Sequence, residues 1–370
     1  MPTSTTAAIF RHAGQPPQIE PVTLDDPRED EVLVEIKGVG ICHTDMVMRD
    51  GQLPVPMPVV LGHEGSGIVR AVGAKVGSLQ PGDHVVLSFM SCASCASCHE
   101  LQPAYCHSWV PLNFFGMRAD GSTALVDASG QAIHSHVFGQ SSFAGHAVVN
   151  QRNAIKVASD VPIELLGPLG CGIQTGAGAV LNSCRVRPGS SVAVIGVGAV
   201  GLSAIMAARV ADAAIVAAID INQGRLDLAR ELGANQAFIS GAGTFLEMAA
   251  ASGCHAGFDY IIDTTGISSL VEQAVPALAP RGEIALVGAY RPGTLLAIDP
   301  VQILSTGRVI RGVVEGGANP AEFIPELIEL WRAGRFPFDR LVQFFEFSDI
   351  VRAIEEGEQG RVIKPILRFA

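Results

Sequence analysis

The stretch "SVAVIGVGAVGLSAIMAARV", residues 191–210, decides the fold of one half of this chain. It begins with small and β-branched apolar residues, continues through three glycines and ends in a run with helical character. Gly196, Gly198 and Gly201 have the G-x-G-x-x-G spacing, which holds a dinucleotide pyrophosphate at the amino end of a helix. The stretch therefore predicts a strand, a tight turn and a helix that bind a dinucleotide.

The shorter part "SVAVIGVGAVGLSAIMAA", residues 191–208, is also apolar and long enough to resemble a membrane-spanning helix. Glycines interrupt it at fixed offsets, and Arg209 and Asp212 follow closely, so a buried strand–turn–helix is the favoured interpretation. The amino terminus has no basic region followed by a long apolar run, and no signal peptide is predicted. We expect a soluble, cytoplasmic protein.

Strand-like and helical runs alternate from residue 173 to residue 313. The strand-like runs are 191–195, 214–219, 236–239, 260–263, 283–287 and 308–312. This alternation predicts an α/β fold, with a six-stranded, parallel, doubly wound sheet of the Rossmann type. Residues 1 to about 170 are instead rich in short β-type runs and Pro/Gly turns, and the tail after residue 313 is mixed.

The second predicted strand of this half ends at Asp220. A carboxylate at that position accepts hydrogen bonds from the adenosine ribose and repels a 2′-phosphate, which favours NAD over NADP. Arg225 lies nearby and could flank the ribose of NAD or accept a phosphate. Ala199 and Val200, between the glycines, belong to the predicted cofactor site. The alternative is a glycine-rich helix start beside an ordinary surface aspartate.

Composition excludes several classes of function. The chain has 370 residues, of which 48% are hydrophobic and 16% charged, and its net charge is -11. These values are typical of a compact globular protein, and the length is sufficient for two domains with separate cores. The negative charge, without a clustered basic face, argues against a nucleic-acid partner.

Four cysteines lie close together in "SCASCASCHELQPAYC", residues 91–106: Cys92, Cys95, Cys98 and Cys106. Soft thiolates at this density suit tetrahedral zinc or an iron–sulfur cluster. Free or disulfide-bonded thiols are the alternative, which a reducing cytosol disfavours. Because four cysteines leave no open coordination position, the site is predicted to be structural.

A second group of candidate ligands is scattered along the chain. Cys42 lies in "GICHTD", His63 and Glu64 in "LGHEGSG", and Cys171 in "GPLGCGIQTG". Two sulfurs and one imidazole leave a fourth position for water or substrate, as in catalytic zinc sites. Asp45 could accept the second ring N–H of His63 and fix its tautomer. Any one of these residues alone would be a buried bystander more often than a ligand.

Together these motifs resemble the zinc-dependent medium-chain alcohol dehydrogenases, nearly from end to end. The resemblance implies a strand-rich, GroES-like catalytic domain at 1–172 and 314–370 and an NAD-binding Rossmann domain at 173–313. It also implies two zinc ions per subunit. The catalytic zinc would bind Cys42, His63 and Cys171, and the structural zinc would bind Cys92, Cys95, Cys98 and Cys106.

The family's reaction follows as an expectation: a primary alcohol becomes an alkoxide on zinc and passes hydride to C4 of the nicotinamide. The resemblance gives Thr44 as the acceptor of the alcohol proton and Glu64 as a carboxylate near the metal. Many members end their proton relay at a histidine, but Val47 stands at that position here. The proton must therefore leave through the ribose hydroxyl to water, or through another base.

The resemblance also implies contacts to the coenzyme and an assembly. Thr175 would meet the nicotinamide end, and His43 and Lys364 would contact the pyrophosphate, although both could be plain surface residues. Members of the family usually pair through the edge of the Rossmann sheet, here "RVIRG" at 308–312 and the strand before it. A homodimer or homotetramer is therefore expected, with a small alcohol or aldehyde as substrate and no membrane partner.

Two further stretches, "NFFGMRADGST" (113–123) and "RFPFDRLVQFFEFSDI" (335–350), resemble the bacterial aryl (benzyl) alcohol branch. Phe89, Phe114 and Phe115 are predicted to line an apolar substrate slot, with Trp109 as a further candidate and ordinary packing as the alternative. Rival functions are a terpene or allylic alcohol dehydrogenase, a glutathione-dependent formaldehyde dehydrogenase, a zinc-free reductase and a non-catalytic NAD-binding protein.

Overall fold

The computed structural model describes residues 2–53 and 55–369. The chain divides into two compact units. The first unit comprises Met1–Gly172, Asn319–Ile328 and Asp339–Ala370, and the second comprises Ile173–Ala318 and Glu329–Phe338. Two short segments, 314–318 and 329–338, thus group with the second unit, whereas the resemblance had placed them in the catalytic domain.

The first unit is dominated by strands, most of them paired antiparallel. The strands are β1 Thr3–Phe10, β2 Gln18–Leu24, β3 Glu31–Gly40, β4 Val59–Val60, β5 Gly65–Val72, β6 His84–Leu87, β7 Leu125–Asp127, β8 Ala132–Ile133, β9 His146–Asn150, β10 Ala154–Val157, β17 Val342–Glu346 and β18 Lys364–Arg368. Among the described residues they form a sheet ordered β4-β1-β2-β7-β8 and another ordered β10-β6-β5-β3-β18-β17, with β9 also paired to β3.

Short helices join these strands: α1 His43–Arg49, α2 Ala96–His99, α3 Trp109–Phe114 and α11 Ile350–Glu358. Helix α1 begins where it does because Asp45 closes a capping box on Cys42. The Asp45 carboxylate accepts the Cys42 N–H at 3.1 Å, which satisfies a backbone donor that the helix itself cannot satisfy. The start of this helix therefore fixes both Cys42 and Asp45.

The second unit contains a sheet whose strands all run parallel. The strands are β11 Ser191–Ile195, β12 Ile215–Asp220, β13 Gln236–Ile239, β14 Phe258–Asp263, β15 Leu278–Leu286 and β16 Val309–Gly312. Their order, β13-β12-β11-β14-β15-β16, is that of a complete doubly wound dinucleotide fold. The predicted α/β class and six-stranded parallel sheet are therefore confirmed, including the position of every strand.

Helices connect these strands: α4 Gly172–Gly178, α5 Ala199–Val210, α6 Gln223–Glu231, α7 Phe245–Ala251, α8 Ser268–Ala274 and α9 Pro300–Thr306; α10, Pro320–Arg332, follows. Strand β11 is buried along its whole length, as expected for a central parallel strand covered on both faces. Helix α5 is also largely buried. This accounts for the apolar character of residues 191–210 without a bilayer.

Each unit has its own apolar core. In the first unit the fully buried side chains include Phe10, Phe143 and Ile36, and in the second Phe258, Ile219 and Ile261 form the corresponding cluster. Within residues 2–53 and 55–369, none of the helices has the length and apolar character required to cross a membrane.

Candidate active site

The three scattered ligands of the sequence come together in the first unit. The ligand atoms of Cys42, His63 and Cys171 all lie within 4.8 Å of one another. Each belongs to a different part of the unit: the start of α1, the turn before β5 and the residue before α4. Two sulfurs and one ring nitrogen at this spacing can hold one zinc ion and leave its fourth position open.

His63 is the residue whose environment best tests this fit. Its ring is buried, and its Nδ1 lies 2.9 Å from Oδ1 of Asp45. Its Nε2 is buried and has no hydrogen-bond partner among the described residues. A buried polar atom without a partner is costly, and a metal ion at this position would satisfy it. The Nδ1–H⋯Asp45 contact also assigns the tautomer that leaves Nε2 available.

Ionisation at this cluster suits a cation. A hydrogen bond from the Cys171 thiol and the nearby His63 lower the pKa of Cys42 well below its usual value, although burial opposes them. Burial acts to lower the pKa of His63, but the Asp45 carboxylate and the Cys42 sulfur together raise it, and a metal ion at Nε2 would take the place of the second ring proton. The thiolate character of Cys42 is what zinc requires of a sulfur ligand.

Glu64 lies beneath this cluster and is fully buried. Its carboxylate accepts hydrogen bonds from Nζ of Lys364 at 2.8 and 2.9 Å and from the Gly172 N–H at 3.1 Å. Burial, assisted by the Cys42 sulfur, raises the pKa of Glu64, although Lys364 opposes the shift. Position 40 accommodates only glycine, because a Cβ there would collide with the Glu64 carboxylate.

The structure corrects the expected role of Lys364. We predicted a contact with the coenzyme pyrophosphate, but the side chain is only 2% exposed, and its amine is directed to Glu64 and to the carbonyl oxygen of Ile41 at 3.2 Å. A lysine placed this way balances a buried carboxylate and is not available to a phosphate.

The four clustered cysteines also form one group, with all sulfurs within 4.8 Å of one another. Sγ of Cys98 lies 3.5 Å from that of Cys95 and 3.9 Å from that of Cys92, far outside a disulfide bond length. Backbone N–H groups donate to several of the sulfurs, including Ser108 N–H to Cys106 at 3.4 Å. Hydrogen bonds from Ser94 lower the pKa of Cys92 to about 5. The arrangement fits a closed tetrahedral metal site.

The glycine-rich turn of the second unit has the geometry that its sequence predicts. Gly196 has φ +83°, a conformation that favours glycine. A Cβ at Gly201 would collide with the carbonyl oxygen of Gly196, so the helix can approach the strand only without a side chain. A Cβ at Gly198 would meet nothing within 4 Å. The open space at Gly198, beside the amino end of α5, is where a pyrophosphate fits.

Asp220 lies at the carboxyl end of β12, as predicted, and is 6% exposed. Its oxygens accept the N–H groups of Val197 at 2.7 Å and Asn222 at 2.8 Å. A carboxylate has about four acceptor positions, so two remain for ribose hydroxyls. Arg225 follows in the first turn of α6, and its Nε is buried without a partner among the described residues. Both residues thus stay candidates for the adenosine end.

Thr175, in helix α4, has a partner that the sequence did not suggest. Its hydroxyl lies 3.4 Å from a carboxylate oxygen of Glu315, and the Gln174 amide donates to the same oxygen at 3.1 Å. Glu315 is buried, has φ +47°, and follows the carboxyl end of β16. Because ligands of doubly wound sheets bind at the carboxyl ends of strands, Glu315 belongs to the same edge as Asp220.

Aromatic side chains form a connected group that begins at the His63 ring, and one of them was not predicted from the sequence. Phe138 stacks on the His63 ring with centroids 4.4 Å apart, and its own φ is +52°, an outlier for a bulky residue. Trp109 and Phe114 meet Phe138 edge-on at 6.2 and 5.4 Å, and Phe89 lies 5.0 Å from Trp109. We call Phe89, Trp109, Phe114 and Phe138 the aromatic cluster.

Phe115 does not join the aromatic cluster. It was predicted to line the substrate slot, but it follows α3 and is 45% exposed. Phe114 and Phe115 are neighbours on a helical turn and therefore point in different directions, so only one can face the cluster. Nothing in the sequence indicated Phe138, which lies far from His63 along the chain and carries no ligand or turn signal.

The remaining predicted residues lie at the beginning of α1. Thr44 is half-buried and His43 exposed, and Val47 is half-buried one turn further along. Thr44 follows Cys42 by two positions, so its hydroxyl belongs to the same helical turn as the sulfur. A valine offers no proton donor or acceptor.

Two protein families match the chain. The Alcohol dehydrogenase GroES-like domain family matches residues 28–159, and the Zinc-binding dehydrogenase family matches residues 199–332. Together these ranges cover more than half of the chain. The first includes His63, Asp45 and the four clustered cysteines, and the second includes the parallel sheet from β12 to β16 but not β11.

Individual proteins are similar over the whole length. A geraniol dehydrogenase from Castellaniella defragrans is 47% identical over 99% of this chain and 98% of its own. The structure of a benzyl alcohol dehydrogenase from Acinetobacter calcoaceticus is 44% identical, with a TM-score of 0.96 and full coverage of both chains. An alcohol dehydrogenase zinc-binding domain protein from Burkholderia ambifaria is 49% identical, with a TM-score of 0.98 over both full chains.

Proposed function

This chain belongs to the zinc-dependent medium-chain alcohol dehydrogenases, and we propose that it oxidises primary alcohols whose carbinol carbon is attached to an aromatic ring or a carbon–carbon double bond. Membership establishes the reaction type and the cofactors, zinc and a nicotinamide dinucleotide. The benzylic or allylic substrate is the proposal, and the aromatic cluster on His63 is the observation that carries it.

The aromatic cluster favours a flat, unsaturated group next to the reacting carbon. Phe138 covers one face of His63, and the cluster's rings meet at tilted or edge-on angles, as aromatic groups prefer. A further flat group can extend this packing, whereas a short alkyl chain gains less contact. Two similar proteins are named after benzyl alcohol and geraniol. Both alcohols have a planar, unsaturated carbon beside the carbinol carbon.

Cys42, His63 and Cys171 would hold the catalytic zinc, and Cys92, Cys95, Cys98 and Cys106 the structural zinc. When bound, the catalytic zinc supplies a Lewis acid that lowers the pKa of an alcohol hydroxyl, and NAD supplies the hydride acceptor. Asp45 keeps the proton of His63 on Nδ1 and so presents Nε2 to the metal.

We propose that Thr44 accepts the proton of the alcohol. Its hydroxyl follows the Cys42 sulfur in the first turn of α1 and is partly exposed. Val47 cannot carry that proton onward, so we infer that it passes to a ribose hydroxyl of the coenzyme and then to water. Thr44 would therefore act as a relay and not as a base that keeps the proton.

Coenzyme recognition is proposed to rest on charge and on shape. Asp220 would accept the adenosine ribose hydroxyls and repel a 2′-phosphate, which favours NAD. The open space at Gly198 and the amino end of α5 would receive the pyrophosphate. Thr175, held by Glu315, would lie at the nicotinamide end.

The test compares initial rates of NAD reduction with benzyl alcohol, geraniol, 1-hexanol and hydroxymethylglutathione. We expect kcat/KM for benzyl alcohol and geraniol to exceed that for 1-hexanol by at least about tenfold, the effect of one good aromatic contact. In Phe138→Leu this preference should shrink about tenfold, whereas Phe115→Leu, the matched exposed control, should keep it. A preference for 1-hexanol or the glutathione adduct would overturn the substrate class.

A further inference from the structure

Among the residues that the structure describes, the second unit buries three carboxylates: Asp220, Asp263 and Glu315. Asp220 and Asp263 end β12 and β14, and Glu315 follows β16 closely. All three therefore lie at the carboxyl edge of the parallel sheet, where doubly wound folds bind their ligands. Asp220 is proposed to accept the adenosine ribose hydroxyls, whereas the other two carboxylates have no proposed effect on the coenzyme.

The order of the strands separates these carboxylates along the edge. Asp220 belongs to the half formed by β13, β12 and β11, and Asp263 and Glu315 belong to the half formed by β14, β15 and β16. A dinucleotide lies across such an edge with one nucleotide over each half. With its adenosine at Asp220, the coenzyme has its nicotinamide end on the half that carries Asp263 and Glu315.

Asp263 is committed to the protein itself. It is fully buried, and its carboxylate accepts the N–H and hydroxyl of Thr265 at 3.2 and 2.6 Å, the Gly266 N–H at 3.3 Å and the Tyr290 hydroxyl at 2.5 Å. These four donors match the roughly four acceptor positions of a carboxylate. The charge of Asp263 therefore joins the turns that follow β14 and β15.

Glu315 is held beside a residue that a ligand can reach. One carboxylate oxygen accepts from the Gln174 amide at 3.1 Å and from the Thr175 hydroxyl at 3.4 Å, and two donors on one oxygen favour the ionised group. Gln174 and Glu315 are buried, but Thr175 is partly exposed. Because the Thr175 hydroxyl donates to Glu315, its own oxygen is left to accept from a ligand.

The backbone fixes the position of the Glu315 side chain. Glu315, Gly316 and Gly317 all have positive φ, and a positive φ at a non-glycine residue persists only where the surroundings impose it. A Cβ at Gly316 would lie 2.5 Å from the carbonyl oxygen of Gln174, so the turn packs directly on the backbone of α4. The Ser183 hydroxyl also donates to the Gly316 carbonyl oxygen at 3.1 Å.

A carboxylate fixed on this half of the edge acts differently on the two forms of the coenzyme. The nicotinamide ring carries a positive charge in NAD and none in NADH, and the rest of the molecule is the same in both. A buried carboxylate attracts the charged ring and has no such effect on the neutral one. Contacts to the phosphates, riboses and adenine contribute equally to the binding of both forms.

We propose that Glu315 sets the preference of the coenzyme site between the oxidised and the reduced coenzyme. Its carboxylate strengthens the binding of NAD relative to NADH, so the enzyme takes up the hydride acceptor and releases the reduced product more readily. This favours the direction of alcohol oxidation. The role of Glu315 rests on the proposed function, which places the nicotinamide end at Thr175.

The test measures the two dissociation constants of the zinc-loaded enzyme without an alcohol, NADH by fluorescence titration and NAD by displacement of NADH. Glu315→Gln keeps the shape and an acceptor oxygen but removes the charge. The ratio of the NAD constant to the NADH constant should therefore rise about tenfold.

Two further variants isolate the charge. Glu315→Asp retains it, so the ratio should stay within about threefold of the wild-type value even where the shorter side chain weakens both constants. Glu329→Gln makes the same substitution in the same unit at a side chain that is 67% exposed, and both constants should be unchanged. An equal loss of affinity for NAD and NADH in Glu315→Gln, or an unchanged ratio, would overturn the proposal and leave Glu315 a structural residue.

Thr175→Val tests the placement of the nicotinamide separately. Loss of the hydroxyl should weaken NAD and NADH about equally, and unchanged binding of both would contradict that placement in the proposed function. An unchanged ratio in Glu315→Gln beside weakened binding in Thr175→Val would overturn the role of Glu315 alone. Because no alcohol is present, these outcomes are independent of the substrate class.

Discussion

Asp45 accepts hydrogen bonds from three groups that lie together only in the folded chain: the N–H of Cys42, the N–H of Gly62 and Nδ1 of His63. It is fully buried, so each bond replaces water that the carboxylate gave up on folding. One side chain thereby fixes the position of a sulfur ligand and the tautomer of a nitrogen ligand.

Asp45→Asn is predicted to weaken zinc at the catalytic site. An amide retains one oxygen but presents an NH₂ group to at least one N–H donor, and it no longer stabilises His63 by charge. Loss of such a supporting contact typically lowers metal affinity or activity about 10- to 100-fold. Zinc per subunit after dialysis against a weak chelator, together with kcat/KM, measures the effect.

Asp50→Asn, at the exposed end of the same helix, is the control and should retain both zinc ions. Full zinc retention and normal kcat/KM in Asp45→Asn would show that His63 does not need its carboxylate partner.

His136 is predicted to make stability depend on pH. Burial, assisted by Arg118, lowers the pKa of His136 from 6.5 to about 4. Between these values the unfolded chain binds a proton that the folded protein does not, so stability falls as pH falls through this window. The shift corresponds to about 3 kcal/mol, fully lost only below about pH 4. Denaturant unfolding at pH 7.5, 6 and 5 measures the loss.

His136→Gln should lose less stability over the same pH range, because glutamine does not titrate there. Carboxylates and zinc ligands titrate in both proteins, so the difference between the two curves isolates the histidine. Parallel curves for the two proteins would contradict the depressed pKa.

At the scale of elements, the turn between β11 and α5 shows that glycines in one motif serve different purposes. Gly196 provides a positive φ, Gly201 allows contact between backbone atoms, and Gly198 leaves space that the protein itself does not fill. Only the last of these concerns a ligand directly.

Gly198→Ala and Gly201→Ala should therefore fail in different ways. The new methyl at Gly198 meets no protein atom, and φ is -75° there, so stability should change by less than about 0.5 kcal/mol. NADH affinity should nevertheless fall at least about tenfold, because the methyl occupies the proposed pyrophosphate space. Gly201→Ala should cost about 3 kcal/mol through the collision with Gly196.

Thermal unfolding and NADH fluorescence titration of both variants separate these effects. Equal losses of stability in the two proteins, or unchanged NADH binding in Gly198→Ala, would contradict the assignment.

The four-cysteine segment has little packing of its own, so we expect a bound metal ion to hold it in shape. Helix α2 is four residues long and has no buried residue, and Leu101 is exposed.

Cys98→Ser is predicted to reduce zinc from two ions to one per subunit and to expose residues 92–106 to proteolysis. Ser97→Ala is the neighbouring control. If Cys98→Ser lost both zinc ions, or neither, the catalytic zinc and the four-cysteine zinc would not be separate sites.

Sequence predicted these elements well where the signal is local. Strand β11, its turn and α5 follow from apolar runs and glycine spacing within twenty residues. The Glu64–Lys364 pair joins positions 300 residues apart, and no local pattern predicts a contact at that separation. Phe138 was missed for the same reason, and Phe115 was misplaced because a helical turn, not residue type, decides which neighbouring ring faces inward.

At the scale of the whole molecule, the chain comprises two units with separate cores, and each carries one half of the chemistry. The first unit brings together Cys42, His63 and Cys171, and the second holds the glycine turn and Asp220. The domain ranges, 1–172 with 314–370 and 173–313, stay a prediction, which rests on the change from short strands to alternating strands and helices along the sequence.

Assembly stays a prediction at this scale. Strand β16 ends the order of the parallel sheet, and Val309 within it is 40% exposed. An exposed apolar edge strand is a surface that proteins usually cover, as pairing of subunits would do. The mass of the protein in solution decides between monomer, dimer and tetramer.

We propose that this chain moves hydride from a benzylic or allylic primary alcohol to NAD. The most direct measurement uses α,α-dideuterobenzyl alcohol with the zinc-loaded enzyme and NAD, and follows the reduced coenzyme by ¹H NMR. We predict deuterium at C4 of the nicotinamide, one per benzaldehyde formed, and slower turnover than with the protiated alcohol if hydride transfer limits the rate. Benzaldehyde without deuterated coenzyme, or no oxidation of benzyl alcohol or geraniol at all, would contradict the account.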